Sequence, residues 1–207
     1  MRRLISRVAL LGAVVCTLQI AGQGSAFAVS EGTRTSAVAY ADRWSSNPPT
    51  QTRNPNYSSY GADCTNFASQ ILHSAGWSYR GTVHDGYHWF PGIQPWEVVS
   101  PFITAWQGLN RAGSLSALNK SAAYTPLPNG DIYAYNWGRG EGISHLSTEV
   151  GFGTRDSAYA RDGQGDYIDQ HTTDRHHSPW NYGYLHPDAS INTATMQIYW
   201  LPINYAN

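Results

Sequence analysis

The feature that most constrains the fold is a change of pattern near residue 126. Before it, apolar residues recur at helical spacing; after it, short strand-like runs alternate with turns. Residues 36–46 place Ala37, Val38, Ala41 and Trp44 on one side and stop at Asn47-Pro48-Pro49. Residues 64–75 bring Phe67, Ala68, Ile71, Leu72 and Ala75 to one face, with Gly76 ending the run. A further helix is predicted over 96–107, carrying Trp96, Val99, Phe102, Ile103 and Trp106. Stretches 47–62 and 77–95 read as loops, the second rich in aromatic residues. Then Pro128-Asn129-Gly130-Asp131 turns the chain into a strand, Ile132-Tyr133-Ala134-Tyr135. Strands are also predicted over 145–152, 166–171 and 194–201, with turns at 138–142 and 162–165. Helices followed by an antiparallel meander give an α+β domain, with the helices packed on one face of the sheet.

The N-terminus reads as a secretion signal. Arg2, Arg3 and Arg7 precede an apolar run over 8–20, and Ala26-Phe27-Ala28 supplies an A-x-A site with cleavage after Ala28. The run is short for a membrane span of about 20 residues, so no stable membrane insertion is expected. Of 207 residues, removal of 28 leaves 179, enough for a single domain over 29–207, with 29–35 a polar, disordered start. Cys16 leaves with the signal, and Cys64 becomes the one remaining cysteine. No internal disulfide can then form. The thiol is either packing or a reactive group. The signal also removes three arginines and no acids, so 13 basic residues fall to 10 against 14 acidic ones, a net charge of −4. With Lys120 the sole lysine, the chain lacks the basic face that nucleic-acid binding needs. A secreted monomer without cofactor is expected.

The chemistry centres on Asp63-Cys64-Thr65-Asn66-Phe67-Ala68-Ser69-Gln70. Asp63 is a candidate N-cap, which makes Cys64 the first helical residue. Unpaired N–H groups and the helix dipole favour an anion there. His145, starting a strand, is the candidate base. A third group should orient its imidazole. Asp169 and His171 alternate along the strand over 166–171 and so share a face, which makes both candidates. Ser147 and Glu149 share the face of His145, near the site. The oxyanion donors are the backbone N–H of Cys64 and a second group from the preceding loop, with the side chains of Tyr60 and Asn56 as candidates.

These blocks resemble the signature of the bacterial putative amidase domain family. The likeness rests on the Cys64 run, on Trp96-Glu97-Val98-Val99-Ser100-Pro101-Phe102, on Gly130-Asp131-Ile132, on Ser144-His145-Leu146-Ser147 and on Ile168-Asp169-Gln170-His171-Thr172-Thr173-Asp174. It covers roughly residues 33–185. The family is similar to CHAP and NlpC-type enzymes, so the resemblance implies a papain-like fold and cleavage of amide bonds in cell-wall peptides, with peptidoglycan or a peptide as substrate. It implies Cys64 as nucleophile and His145 as general base. Where the CHAP-like pattern has Glu-x-Asn, this chain has Asp169-Gln170-His171. The charge of Asp169 recommends it as orienter, while the NlpC-type pattern keeps His171 in play. Ser147, Thr148 and Glu149 also depart from the alternating apolar residues common in such members.

Two other readings compete. Eight histidines invite a metal, but His84 and His88 flank Gly86 without an H-E-x-x-H pattern, and adjacent His176 and His177 would point to opposite sides of a regular strand. No metal is expected. Trp89, Trp137 and Trp180, with Asn66, are candidates for binding substrate, whereas Trp96 and Trp106 have core spacing. A non-catalytic wall- or carbohydrate-binding module is the alternative that such aromatics raise, and it would need no reactive thiol.

Overall fold

The computed structural model describes residues 31–80, 87–122, 125, 127–154, 164–182 and 194–205. The signal segment, His84, His186 and the first half of the predicted 162–165 turn lie outside these residues, and its second half opens the strand that begins at Gln164. Four helices come first: α1 (Glu31–Trp44), α2 (Cys64–Ser74), α3 (Gln94–Glu97) and α4 (Val99–Gly108). Six strands follow: β1 (Ser116–Ala117), β2 (Ile132–Asn136), β3 (Ile143–Thr154), β4 (Gln164–Gln170), β5 (Arg175–Pro179) and β6 (Gln197–Leu201). They form one sheet in the order β1-β6-β2-β3-β4-β5, antiparallel throughout.

The helix-then-strand order matches the sequence reading, with three corrections. Helix α1 begins at Glu31, inside the stretch expected to be disordered. The helix predicted over 96–107 is two helices, separated by Val98 in an extended conformation (φ −122°, ψ 131°). Pro95 and Pro101 fall in the first turns of α3 and α4, where a missing N–H loses no helical bond. Strands β1 and β5 were not expected from the sequence.

Both faces of the sheet are covered. Ile132, Ala134, Leu146 and Val150 point toward the helices and pack with Phe67, Ile71, Leu72, Trp89, Trp96, Phe102 and Trp106. On the other face, Tyr133, Tyr135, Trp137, Ile168 and Ile198 pack under Trp180 and Tyr182. The alternation of Ile132 and Ala134 with Tyr133 and Tyr135 follows from the two-residue strand period.

Candidate active site

Cys64 opens α2, as the helix signals require. Asp63 takes the N-cap position, but its side chain makes no cap bond. Its Oδ1 accepts instead from the Tyr60 N–H (3.1 Å) and Asn66 Nδ2 (2.7 Å), and its Oδ2 from His171 Nδ1 (2.6 Å). The first-turn amides of α2 are thus left without a side-chain cap, beside the thiol. That end of a helix stabilises negative charge.

The thiol lies at the start of β3, against His145. Burial opposes its ionisation most strongly. The charge of His145, hydrogen bonding from its ring, the Leu146 amide and the Thr65 hydroxyl together overcome that penalty and bring the Cys64 pKa below its ordinary value. On the far side of the ring, His145 Nε2 lies 2.9 Å from Gln170 Oε1. Gln170 Nε2 donates to the Thr173 carbonyl at 2.8 Å, which turns the amide oxygen toward His145. The Tyr182 hydroxyl donates to the same oxygen. Burial pushes the Tyr182 phenol up, which keeps it a donor. An amide oxygen only accepts, so this contact is made by a protonated Nε2 of His145 and leaves Nδ1 as the ring's other nitrogen.

Neither Asp169 nor His171 fills the orienting position. Strand alternation does put them on one face, but that face is turned to the helices, while Ile168 and Gln170 face Tyr135 and Tyr182. Asp169 accepts from the Ser45 hydroxyl at 2.8 Å and the His177 N–H at 2.7 Å. His171 stacks on Phe67 (centroids 3.6 Å apart) between Asp63 and the Trp44 carbonyl. Gln170 and Tyr182 are the residues that the sequence reading missed.

A cavity of about 300 Å³ opens on this arrangement, lined by Cys64, His145, Gln170, Tyr182, Trp137, Arg139 and Glu141 among others. A second cavity, of about 450 Å³, shares Thr172 and Thr173 with it and is lined by Arg53, Tyr60 and Asp174. Of the predicted substrate residues, only Trp137 lines the first cavity, its ring 5.4 Å from that of His145. Trp89 and Trp180 are fully buried in the two cores, and Asn66 is a strut. Its amide holds Asp63 and the Ser58 carbonyl and accepts from Trp96 Nε1. The Tyr60 hydroxyl is taken by Glu97, and the Asn56 N–H by the Asn54 side chain. Neither residue lines the Cys64 cavity. Ser147 and Glu149 bind the hydroxyls of Tyr135 and Tyr133, under the sheet. The Gly130-Asp131 block is also structural: Asp131 ties Arg34 (2.9 Å) to Trp200 Nε1 (2.8 Å), and at Gly130 (φ +90°) a Cβ would come within 2.6 Å of the Tyr205 hydroxyl.

The histidine pair departs from expectation as well. Ile168 pairs with Ser178 and Gln170 with Arg175, so Asp169 alone opposes both His176 and His177. This is a β-bulge, and His177 has a left-handed backbone (φ 49°). The two rings therefore stack on one side, with centroids 3.9 Å apart.

Fold and site together define an α+β domain with a thiol, an imidazole and an amide in series at the mouth of a small cavity. The chain belongs to the putative amidase domain family, whose pattern it matches over residues 31–196. The family's description points to the amidase class, hydrolases acting on carbon–nitrogen bonds. It is also similar to the uncharacterized protein YhbB of Bacillus subtilis (strain 168), with 31% identity over 121 residues, 56% of this chain and 36% of that protein. The match thus spans about a third of the relative's length. No solved structure matches the chain.

Proposed function

We propose that this domain is an exported, papain-like cysteine amidohydrolase that cuts amide bonds in the peptides of bacterial peptidoglycan. The observation that carries the reading is the Cys64 thiol at the start of α2, beside an imidazole whose Nε2 is held by Gln170. The Cys64 thiolate attacks the substrate carbonyl carbon. The oxyanion that forms faces the N–H of Cys64 at the start of α2. As the C–N bond breaks, the leaving amine takes a proton from His145. Water then attacks the thioester, returns a proton to His145 and releases the acid. Burial of Trp89 and Trp180 weakens the case for a binding module, which would need exposed aromatic rings.

The test compares the chain lacking residues 1–28 with its Cys64→Ala variant on purified muropeptides, with products resolved by mass spectrometry. The wild type should release new amines and acids, and the variant should fall to background. Equal product release by both proteins would sink the mechanism. The product masses also identify the bond.

A further inference from the structure

We propose that Asp42, Asp169, His176 and His177 form a four-ligand site for a divalent transition-metal cation, with zinc the best fit. Each offers one ligand atom, and all four atoms lie within 4.8 Å of one another. Tetrahedral zinc with bonds of about 2.0–2.1 Å sets its ligand atoms about 3.3 Å apart. His177 Nε2 and Asp42 Oδ1 are 2.8 Å apart, and His176 Nδ1 and Asp169 Oδ2 are 3.5 Å apart. Side-chain shifts of about an ångström would therefore close the site around an ion, with no change of fold.

The donor set selects the ion. Two imidazoles and two carboxylates suit zinc and its neighbours, and the two negative charges match a divalent cation. Calcium takes six or more oxygens, which this cluster does not offer. The supporting hydrogen bonds are already built. Asp169, fully buried, accepts from the His177 N–H and from Ser45, which fixes the carboxylate. Asp42 and His177 are exposed, which gives the ion a path from solvent. Four protein ligands leave no open position for a substrate, so the site is structural. It would clamp the last turn of α1 to the β4–β5 bulge, one residue from Gln170.

The test uses the chain carrying Cys64→Ala, so that the thiol cannot serve as a ligand. Equilibrium dialysis against zinc should find one ion per chain, with a higher melting temperature. Cobalt should give the visible absorption of a tetrahedral site. Adding His177→Ala should abolish both signals while leaving a cooperative melt without metal. Asp42→Asn alone, at an exposed helical position, should weaken zinc binding at least tenfold. Failure to take up one zinc, or uptake unchanged in either variant, would overturn the proposal.

Discussion

At the scale of the residue, an uncharged amide holds His145. A carboxylate would stabilise an imidazolium by its charge, whereas Gln170 supplies only direction, and Thr173 and Tyr182 fix that direction in turn. Asp169, Gln170 and His171 are consecutive, so the sequence places the orienter on the right strand and leaves two faces to choose between. In many strands the polar face would decide. Here both faces are covered, one by helices and the other by Trp180 and Tyr182, and polarity says nothing about parity. Cys64 and His145 were legible because their signals are local: a helix start and a strand start. We expect Gln170→Ala to lower kcat by roughly ten- to a hundredfold, since it frees the ring that Gln170 holds. The pH profile of Cys64 alkylation by iodoacetamide separates this from a structural effect. In the wild type its midpoint should lie below the ordinary thiol value of about 8.5, and in the variant it should move up. An unmoved midpoint with unchanged kcat would remove Gln170 from the mechanism.

At the scale of the element, what the sequence revealed depended on how much of each strand's stability is its own. Strands β2, β3 and β6 carry Ile, Val, Tyr and Trp and announce themselves. Strand β5 reads Arg-His-His-Ser-Pro and has no such signal; pairing with β4 makes it a strand. Strand β3 hides a different feature in plain composition. Glu149 is buried under the sheet, where burial above all, with the nearby charges of Asp166 and Asp131, pushes its pKa from 4.5 up to about 9. Between those pH values the unfolded chain has released a proton that the folded chain keeps. The folded state then binds more protons, so this group lowers stability as pH rises across the window. Glu149→Gln preserves a neutral side chain with one donor end and one acceptor end and removes the titration. Its stability relative to the wild type should rise from pH 5 to pH 9, by an amount on the order of a few kcal/mol. Urea unfolding at pH 5, 7 and 9 measures this. A constant difference between the two proteins would mean that Glu149 is ionised in the fold.

At the scale of the whole molecule, the helical and sheet halves share an apolar core, and a polar link joins them beside the site, with no disulfide among the described residues. Asp63 is that link. It receives donors from the loop before α2, from α2 itself and from His171 after β4, and Arg53 Nε lies 3.5 Å away. Arg53 in turn makes a two-pronged pair with Asp174 (2.6 and 2.9 Å), and the Thr172 hydroxyl accepts from the Asp63 N–H at 2.6 Å. The loop that presents Cys64 and the turn that follows Gln170 are therefore fixed to each other through one fully buried carboxylate. The sequence offered Asp63 only as a helix cap, because a cap is a local relation and these partners lie up to 109 residues away. Asp63→Ala should destabilise the fold by about 3–5 kcal/mol, since it strands several buried donors at once. The loss should appear as a lower urea midpoint with an unchanged slope. The residual folded protein should also turn over more slowly, because the thiol and the Gln170 amide that holds His145 sit beside the two segments that Asp63 joins. Asp63→Asn keeps an oxygen for some of these donors and should lose less stability. An Asp63→Ala protein with the wild-type midpoint and rate would show that packing of α2 alone positions Cys64 against His145.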